Sequence, residues 1–218
     1  MATPTEENYL KALFHLSQKT GEVSISELSK ALEVSKPTAN SMVKNLKAQG
    51  FITYEKYKPL MLTNEGRKIA ALILRKHRLT EMYLVEKMGF GWEEVHEIAE
   101  QVEHVKSPAF FDRMDELMGH PTVDPHGSPI PDKEGKIETQ TNKRLNECSP
   151  GSKVVLTALG ESSKEFLEFL DSRGLRLGSK LKVMSTSAFD NSVMVAFDGK
   201  NESLSYKVSE RLLVDELE

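Results

Sequence analysis

The stretch Ser24-Ile25-Ser26-Glu27-Leu28-Ser29-Lys30-Ala31-Leu32-Glu33-Val34-Ser35-Lys36-Pro37-Thr38-Ala39-Asn40-Ser41 decides how the first quarter of this chain folds. Ser24 with Glu27 three residues on is a capping box, in which hydroxyl and carboxylate satisfy each other's backbone amides at a helix start. The helix it opens buries Leu28, Ala31 and Leu32. Glu33-Val34 turns the chain, and Ser35 caps a second helix from Lys36 to about Ala48, closed by Gly50. Pro37 is tolerated because it lies in the first turn, where amides have no helical acceptor. Two short helices around a tight turn are the geometry that presents a second helix to a DNA major groove.

Working outward, Thr3-Pro4-Thr5-Glu6 is another capping box, with Tyr9, Leu10, Leu13, Phe14 and Leu16 as the apolar face behind it and Gly21 as the stop. Downstream, Phe51–Glu55 alternates like a strand, Lys56-Tyr57-Lys58-Pro59 turns, and Leu60–Leu62 returns. Residues 1–63 therefore read as a winged helix-turn-helix. The start of its second motif helix, with Ser35, Lys36, Pro37, Thr38, Asn40 and Ser41, faces base edges. Lys44 and Lys47 meet the phosphate backbone, and Lys56, Tyr57 and Lys58 form a wing that grips phosphates or enters a minor groove. Residues 36–75 hold eight Lys/Arg against Glu55 and Glu65, a local +6 inside a chain whose net charge is −4. That excess suits a polyanion. A basic amphipathic helix can also be an ordinary solvated surface, and Tyr54 and Tyr57 can be hairpin packing.

Thr63 caps a long helix to about Met88, Gly89-Phe90-Gly91 breaks it, and a helix from about Trp92 to Lys106 follows. Ser107-Pro108 starts another, with Phe110, Phe111, Met114, Leu117 and Met118 on its apolar face. Residues 64–135, ending in the Pro/Gly/His/Asp-rich loop 119–135, read as a helical domain, and 136–150 as a linker. From 151 to 218 the pattern becomes β: Val154–Leu159, Leu181–Ser185, Val193–Phe197, Leu204–Val208 and Leu212–Leu217, with one helix at about Lys164–Ser172. The expected architecture is mainly α with a β C-terminal module, a small SH3-like barrel.

The helical domain carries the chemistry. In Arg75–Glu81, His77 and Glu81 are stacked one helical turn apart; in His96–His104, His96, Glu100, Glu103 and His104 recur on one stripe. Residues 81–104 hold seven glutamates against the single Lys87, a density that repels itself unless cations offset it. Oxygen and imidazole donors without thiolate suit a divalent ion such as Mn²⁺, Fe²⁺ or Zn²⁺. Any one of these residues alone is more often a solvated or hydrogen-bonded side chain; the pattern carries the reading.

With these motifs, together with Glu7-Asn8-Tyr9-Leu10-Lys11, Lys76-His77-Arg78-Leu79-Thr80-Glu81 and Pro125-His126-Gly127, the chain resembles the DtxR/MntR family of metal-dependent transcriptional repressors, in its three-part form with a C-terminal SH3-like (FeoA-like) domain. The resemblance implies a regulatory metal site of Glu100, Glu103 and His104 with Asn8 of the first helix. It implies a second site of His77, Glu81 and His96, joined by Asp124, His126 and an acid of the last domain such as Glu161, hence two sites per subunit. Iron-sensing relatives tend to carry Cys where Glu100 stands, so Mn²⁺ is preferred over Fe²⁺ as the cofactor. Lys11 stands where the two-ion manganese sensors carry a further carboxylate. A homodimer on a palindromic double-stranded operator is implied, repressing metal-uptake genes, with contacts around Met82–Met88 and Phe110–Leu117.

The longest apolar runs stop far short of the roughly 20 residues of a membrane span, no secretory leader is visible, and the single Cys148 fits a reducing cytoplasm. No nucleophile motif or Gly-rich phosphate loop appears, so an enzyme is not expected. The alternative is a winged-helix regulator that answers a non-metal ligand or binds DNA constitutively.

Overall fold

The computed structural model describes residues 2–55 and 58–217, and only the backbone of Lys19 and Thr20. The chain forms two compact units. The first holds the residues up to Thr80 with Ile98–Thr122 and Ile130–Glu138; the second holds Glu81–Glu97, Val123–Pro129 and the residues from Thr139 onward.

In the first unit, α1 (Pro4–Thr20), α2 (Ile25–Ala31) and α3 (Lys36–Ala48) begin at Thr3, Ser24 and Ser35, each of which caps through its side chain. Their apolar faces meet in a core of Leu10, Leu13, Leu28, Val43 and Leu46, none more than 1% exposed. Glu33, in the turn between α2 and α3, takes φ of +53°. The wing is β1 (Ile52–Thr53) against β2 (Met61–Leu62), antiparallel with Ile52 opposite Leu62, and Leu60 donates to the Val23 carbonyl. β1 is shorter than the five residues expected; at its start the Phe51 amide is used to close α3 on the Leu46 carbonyl. Lys56 and Tyr57, the expected tip of the wing, lie outside the described residues.

α4 (Asn64–Met88) starts under Thr63, whose Oγ1 accepts from the Gly66 amide. A Cβ at Gly66 would fall on the Phe51 carbonyl, so glycine lets α4 start against the wing. α5 spans Val95–Val102 and α6 Pro108–Leu117. The helix expected from Trp92 to Lys106 is thus shorter at both ends. A turn closed by the Glu94 carboxylate on the Gly91 amide precedes it, and Pro108 holds Ser107 in extended backbone beyond its end. Glu103 and His104 therefore sit in the turn after α5, although the Glu103 amide still reaches the Ala99 carbonyl. Arg75 ties this unit together, donating to Asp115 at 2.8 Å and to the Pro131 carbonyl at 2.7 Å.

The second unit is built on one antiparallel sheet: β3 (Lys143–Arg144), β4 (Lys153–Leu159), β5 (Lys180–Thr186), β6 (Val193–Phe197), β7 (Lys200–Leu204) and β8 (Leu212–Glu216), in the order β3-β8-β4-β5-β6-β7. α7 (Lys164–Arg173) lays Phe166, Leu167 and Leu170 onto Val154, Leu156, Leu181, Val195 and Val214. The mainly helical N-terminal part and β C-terminal module are as expected. Two details differ. Residues 143–147 belong to the sheet module: Lys143 pairs with Val214, and Leu145 is fully buried in its core. The strand expected at Leu204–Val208 is displaced to 200–204, and Tyr206–Ser209 is a short helix, α8. Asp198 and Gly199 both take positive φ and close a two-residue hairpin with Phe197 opposite Lys200, which sets that register.

Candidate metal centre and nucleic-acid interface

In the second unit the loop Val123–Pro129 folds back on itself. Asp124 donates its amide to the Ser128 carbonyl, and its Oδ1 accepts from the amides of His126 (2.8 Å) and Ser128 (2.9 Å). The loop is pinned to β4, where the Leu159 amide reaches the His126 carbonyl. Gly127 has φ of +83°, and a Cβ there would fall on the Thr157 carbonyl, so only glycine permits this approach.

This places Asp124 and His126 beside Glu81 of α4, all three buried, with one donor atom from each within 4.8 Å of the others. His126 Nε2 lies 2.9 Å from the Trp92 carbonyl, a group that can only accept, so Nε2 carries a proton and Nδ1 is the nitrogen that can serve as a donor to a metal. That atom is 3.8 Å from Glu81 Oε2 and 4.0 Å from Asp124 Oδ1. These separations are too long for hydrogen bonds, yet one ion about 2.0–2.6 Å from each donor spans them. His96, largely exposed, approaches the other oxygen of Glu81 at 3.2 Å from the rim. Oxygen, oxygen and nitrogen donors, held in tautomer and orientation by backbone partners, are a fit for a divalent cation. Glu161 instead pairs with Arg211 at 2.8 Å.

In the first unit, the donors expected around α1 are otherwise engaged. Lys11 Nζ sits 2.7 Å from Glu100 Oε1, and 2.7 and 2.8 Å from the two oxygens of Glu103. His77 Nδ1 is 2.6 Å from Glu103 Oε2, and His104 Nδ1 is 2.7 Å from Glu7 Oε2. Among the described residues Asn8 Oδ1 is buried without a hydrogen-bond partner. Read from sequence alone, neither Glu7, quoted only as part of a motif, nor the Trp92 carbonyl has a role at a site. Glu7 stands one turn before Lys11 on α1, a readable signal; a backbone carbonyl leaves none.

The outer face of α3 is open. Ser35, Lys36, Pro37, Thr38, Ser41, Lys44 and Lys47 are exposed, and Asn40 is half-buried. Ser35 Oγ accepts from the Thr38 amide and lies 2.7 Å from Thr38 Oγ1, so these two hydroxyls fix the helix start that carries the rest. From the opposite side Glu6 accepts from Asn45 (2.9 Å) and Gln49 (2.6 Å), fastening α3 to α1. These bonds, led by the one from the Thr3 amide, hold the Glu6 carboxyl below its usual value. In the wing, Lys58 pairs with Glu55.

Three family models divide the chain: an iron-dependent repressor N-terminal DNA-binding domain over residues 1–60, an iron-dependent repressor metal-binding and dimerisation domain over 63–132, and a FeoA domain over 143–216. The iron-dependent repressor IdeR of Mycobacterium tuberculosis (strain ATCC 25618 / H37Rv) is 32% identical over 70% of this chain and 69% of its own. The chain belongs to the iron-dependent (DtxR-type) family of metal-dependent repressors. IdeR of Mycobacterium leprae (strain TN) is 28% identical to this family member over 98% of the chain and 97% of its own. A solved structure titled a manganese-dependent transcriptional repressor in complex with manganese superposes with a TM-score of 0.88 at 30% identity, covering 97% of this repressor-family chain and all of that one.

Proposed function

We propose that this chain is a Mn²⁺-responsive, or failing that Fe²⁺-responsive, homodimeric repressor that binds a palindromic operator of metal-uptake genes in the cytoplasm, and that it is not an enzyme. Residues 1–63 read DNA, 64–135 carry metal and the dimer contact, and the FeoA-like domain begins at 143, where Lys143 joins its sheet. The observation that carries this reading is the buried Glu81–Asp124–His126 group, in which His126 Nδ1 lies 3.8 Å from Glu81 and 4.0 Å from Asp124. His96 adds a donor at the rim. The family's other ligand set, Asn8, Glu100, Glu103 and His104, with His77 beside it, is where Lys11 lies.

A bound divalent ion supplies the positive charge that lets buried carboxylates and an imidazole share one small space. Glu81 and Asp124 supply charge, His126 a neutral donor, and the Trp92 carbonyl fixes the imidazole tautomer. Because the donor set lacks thiolate and Cys148 is buried among the core residues of the sheet module, a hard ion is favoured over a soft one. Metal and DNA that stabilise the same state tighten each other by one common factor, commonly worth about 1–3 kcal/mol. On the DNA side, Lys36, Asn40 and Ser41 meet base edges while Lys44 and Lys47 meet phosphate.

Affinity for a palindromic fragment from a metal-transporter promoter, compared in chelator, Mn²⁺ and anaerobic Fe²⁺, tests this. Mn²⁺ is expected to tighten binding tenfold or more, about 1.4 kcal/mol. Tight binding indifferent to both ions would leave a constitutive winged-helix regulator.

A further inference from the structure

Lys11 is 8% exposed, and its ammonium makes three short contacts to two carboxylates, one of which, Glu103, is completely buried. An ammonium has three protons, and here three carboxylate oxygens receive them. It lies in the space that Glu100 and Glu103 would offer a metal, and two cations cannot share that space at a few ångströms without strong repulsion. Of the remaining donors Asn8 brings no charge, and His104, held at Nδ1 by Glu7, turns Nε2 toward Glu103 Oε1 at 3.7 Å, an oxygen the Lys11 ammonium already occupies. As they stand, these residues do not fit a divalent ion.

We propose that Lys11 is a built-in cation that closes the Asn8/Glu100/Glu103/His104 set to divalent metal and ties α1 to the segment at and beyond the end of α5 without it. The bridge that a metal ion would make between the DNA-binding helices and this segment is made by a side chain of α1 itself. Metal sensing, resting on the function proposed above, then belongs to Glu81, Asp124 and His126. Asn8 Oδ1, buried without a partner among the described residues, is a donor that comes into use only when the ammonium is gone.

The test counts Mn²⁺ bound per subunit of the metal-free full chain by equilibrium dialysis, with circular dichroism to confirm each variant is folded. Lys11→Ala is expected to gain one ion over wild type, and Lys11→Ala combined with Glu100→Gln to lose that gain. Failure of a folded Lys11→Ala to gain an ion overturns the proposal. Glu100→Gln alone, at a half-exposed position that tolerates the change, is expected to leave the wild-type count unaltered; loss of an ion there overturns it too, and this arm decides even where Lys11→Ala does not fold. Glu81→Gln is scored separately. It is expected to abolish the wild-type ion, and its indifference would sink the assignment of the Glu81 group while leaving the Lys11 comparison intact.

Discussion

His126 donates its Nε2–H to the Trp92 carbonyl at 2.9 Å, and the same two residues stack with ring centroids 6.1 Å apart. One contact sets which imidazole nitrogen can serve as a donor to a metal; the other sets the only tryptophan of the chain against the candidate ion site. Tryptophan emission is therefore expected to change on titration with Mn²⁺. In His126→Ala the change should be lost and Mn²⁺ affinity should fall at least about 10–100-fold, the range for perturbing even the partners of a ligand. An unchanged titration curve would remove His126 from the site.

Gly127 is where the ligand loop touches the sheet. Gly127→Ala forces a Cβ onto the Thr157 carbonyl from a left-handed backbone, and a loss of about 1–3 kcal/mol of stability is expected. Since the loop also holds Asp124 and His126, Mn²⁺ affinity should drop in parallel. Denaturant titration and dialysis read the two effects; a silent substitution would mean the loop does not rest on β4 as described.

Glu6 couples α1 to α3 through Asn45 and Gln49, and its carboxyl is held below the usual value. Its folded pKa lies beneath its unfolded one, so its contribution is complete above about pH 4.3 and is lost as pH falls through the folded value. Glu6→Ala is expected to cost about 1–2 kcal/mol at neutral pH. The difference between variant and wild type should shrink as pH falls below the unfolded value. A pH-independent difference would contradict the role given to its charge.

On the DNA face, Lys44→Ala should weaken binding about equally on all sequences and reduce the log–log salt slope by about one. Asn40→Ala should instead cost about 1–3 kcal/mol at one base pair of each half-site and relax selection there. Binding by a matched and a scrambled operator across a salt series separates the two. Identical behaviour of both variants would argue against α3 as the reading helix.

The amino-acid order by itself determined the first three helices and their starts. Thr3, Ser24 and Ser35 cap where a hydroxyl three residues ahead of a free amide must cap, and the apolar spacing of Leu10, Leu13, Val43 and Leu46 turned one face of each helix inward. It likewise brought His, Glu and Asp donors into view by type and spacing. The hairpin register at Asp198-Gly199 is carried by a dipeptide that favours positive φ at both residues.

What only the tertiary structure decided is which of those donors meet. Residues 43 apart in sequence, Glu81 and Asp124, converge because Gly127 lets a loop lie on β4. Lys11 reaches Glu100 and Glu103 across 89 and 92 residues. Helical periodicity places a side chain on a face, whereas a charge finds its partner through space. A carboxylate therefore reads in sequence as a possible ligand, and whether a lysine already sits on it is settled only by packing.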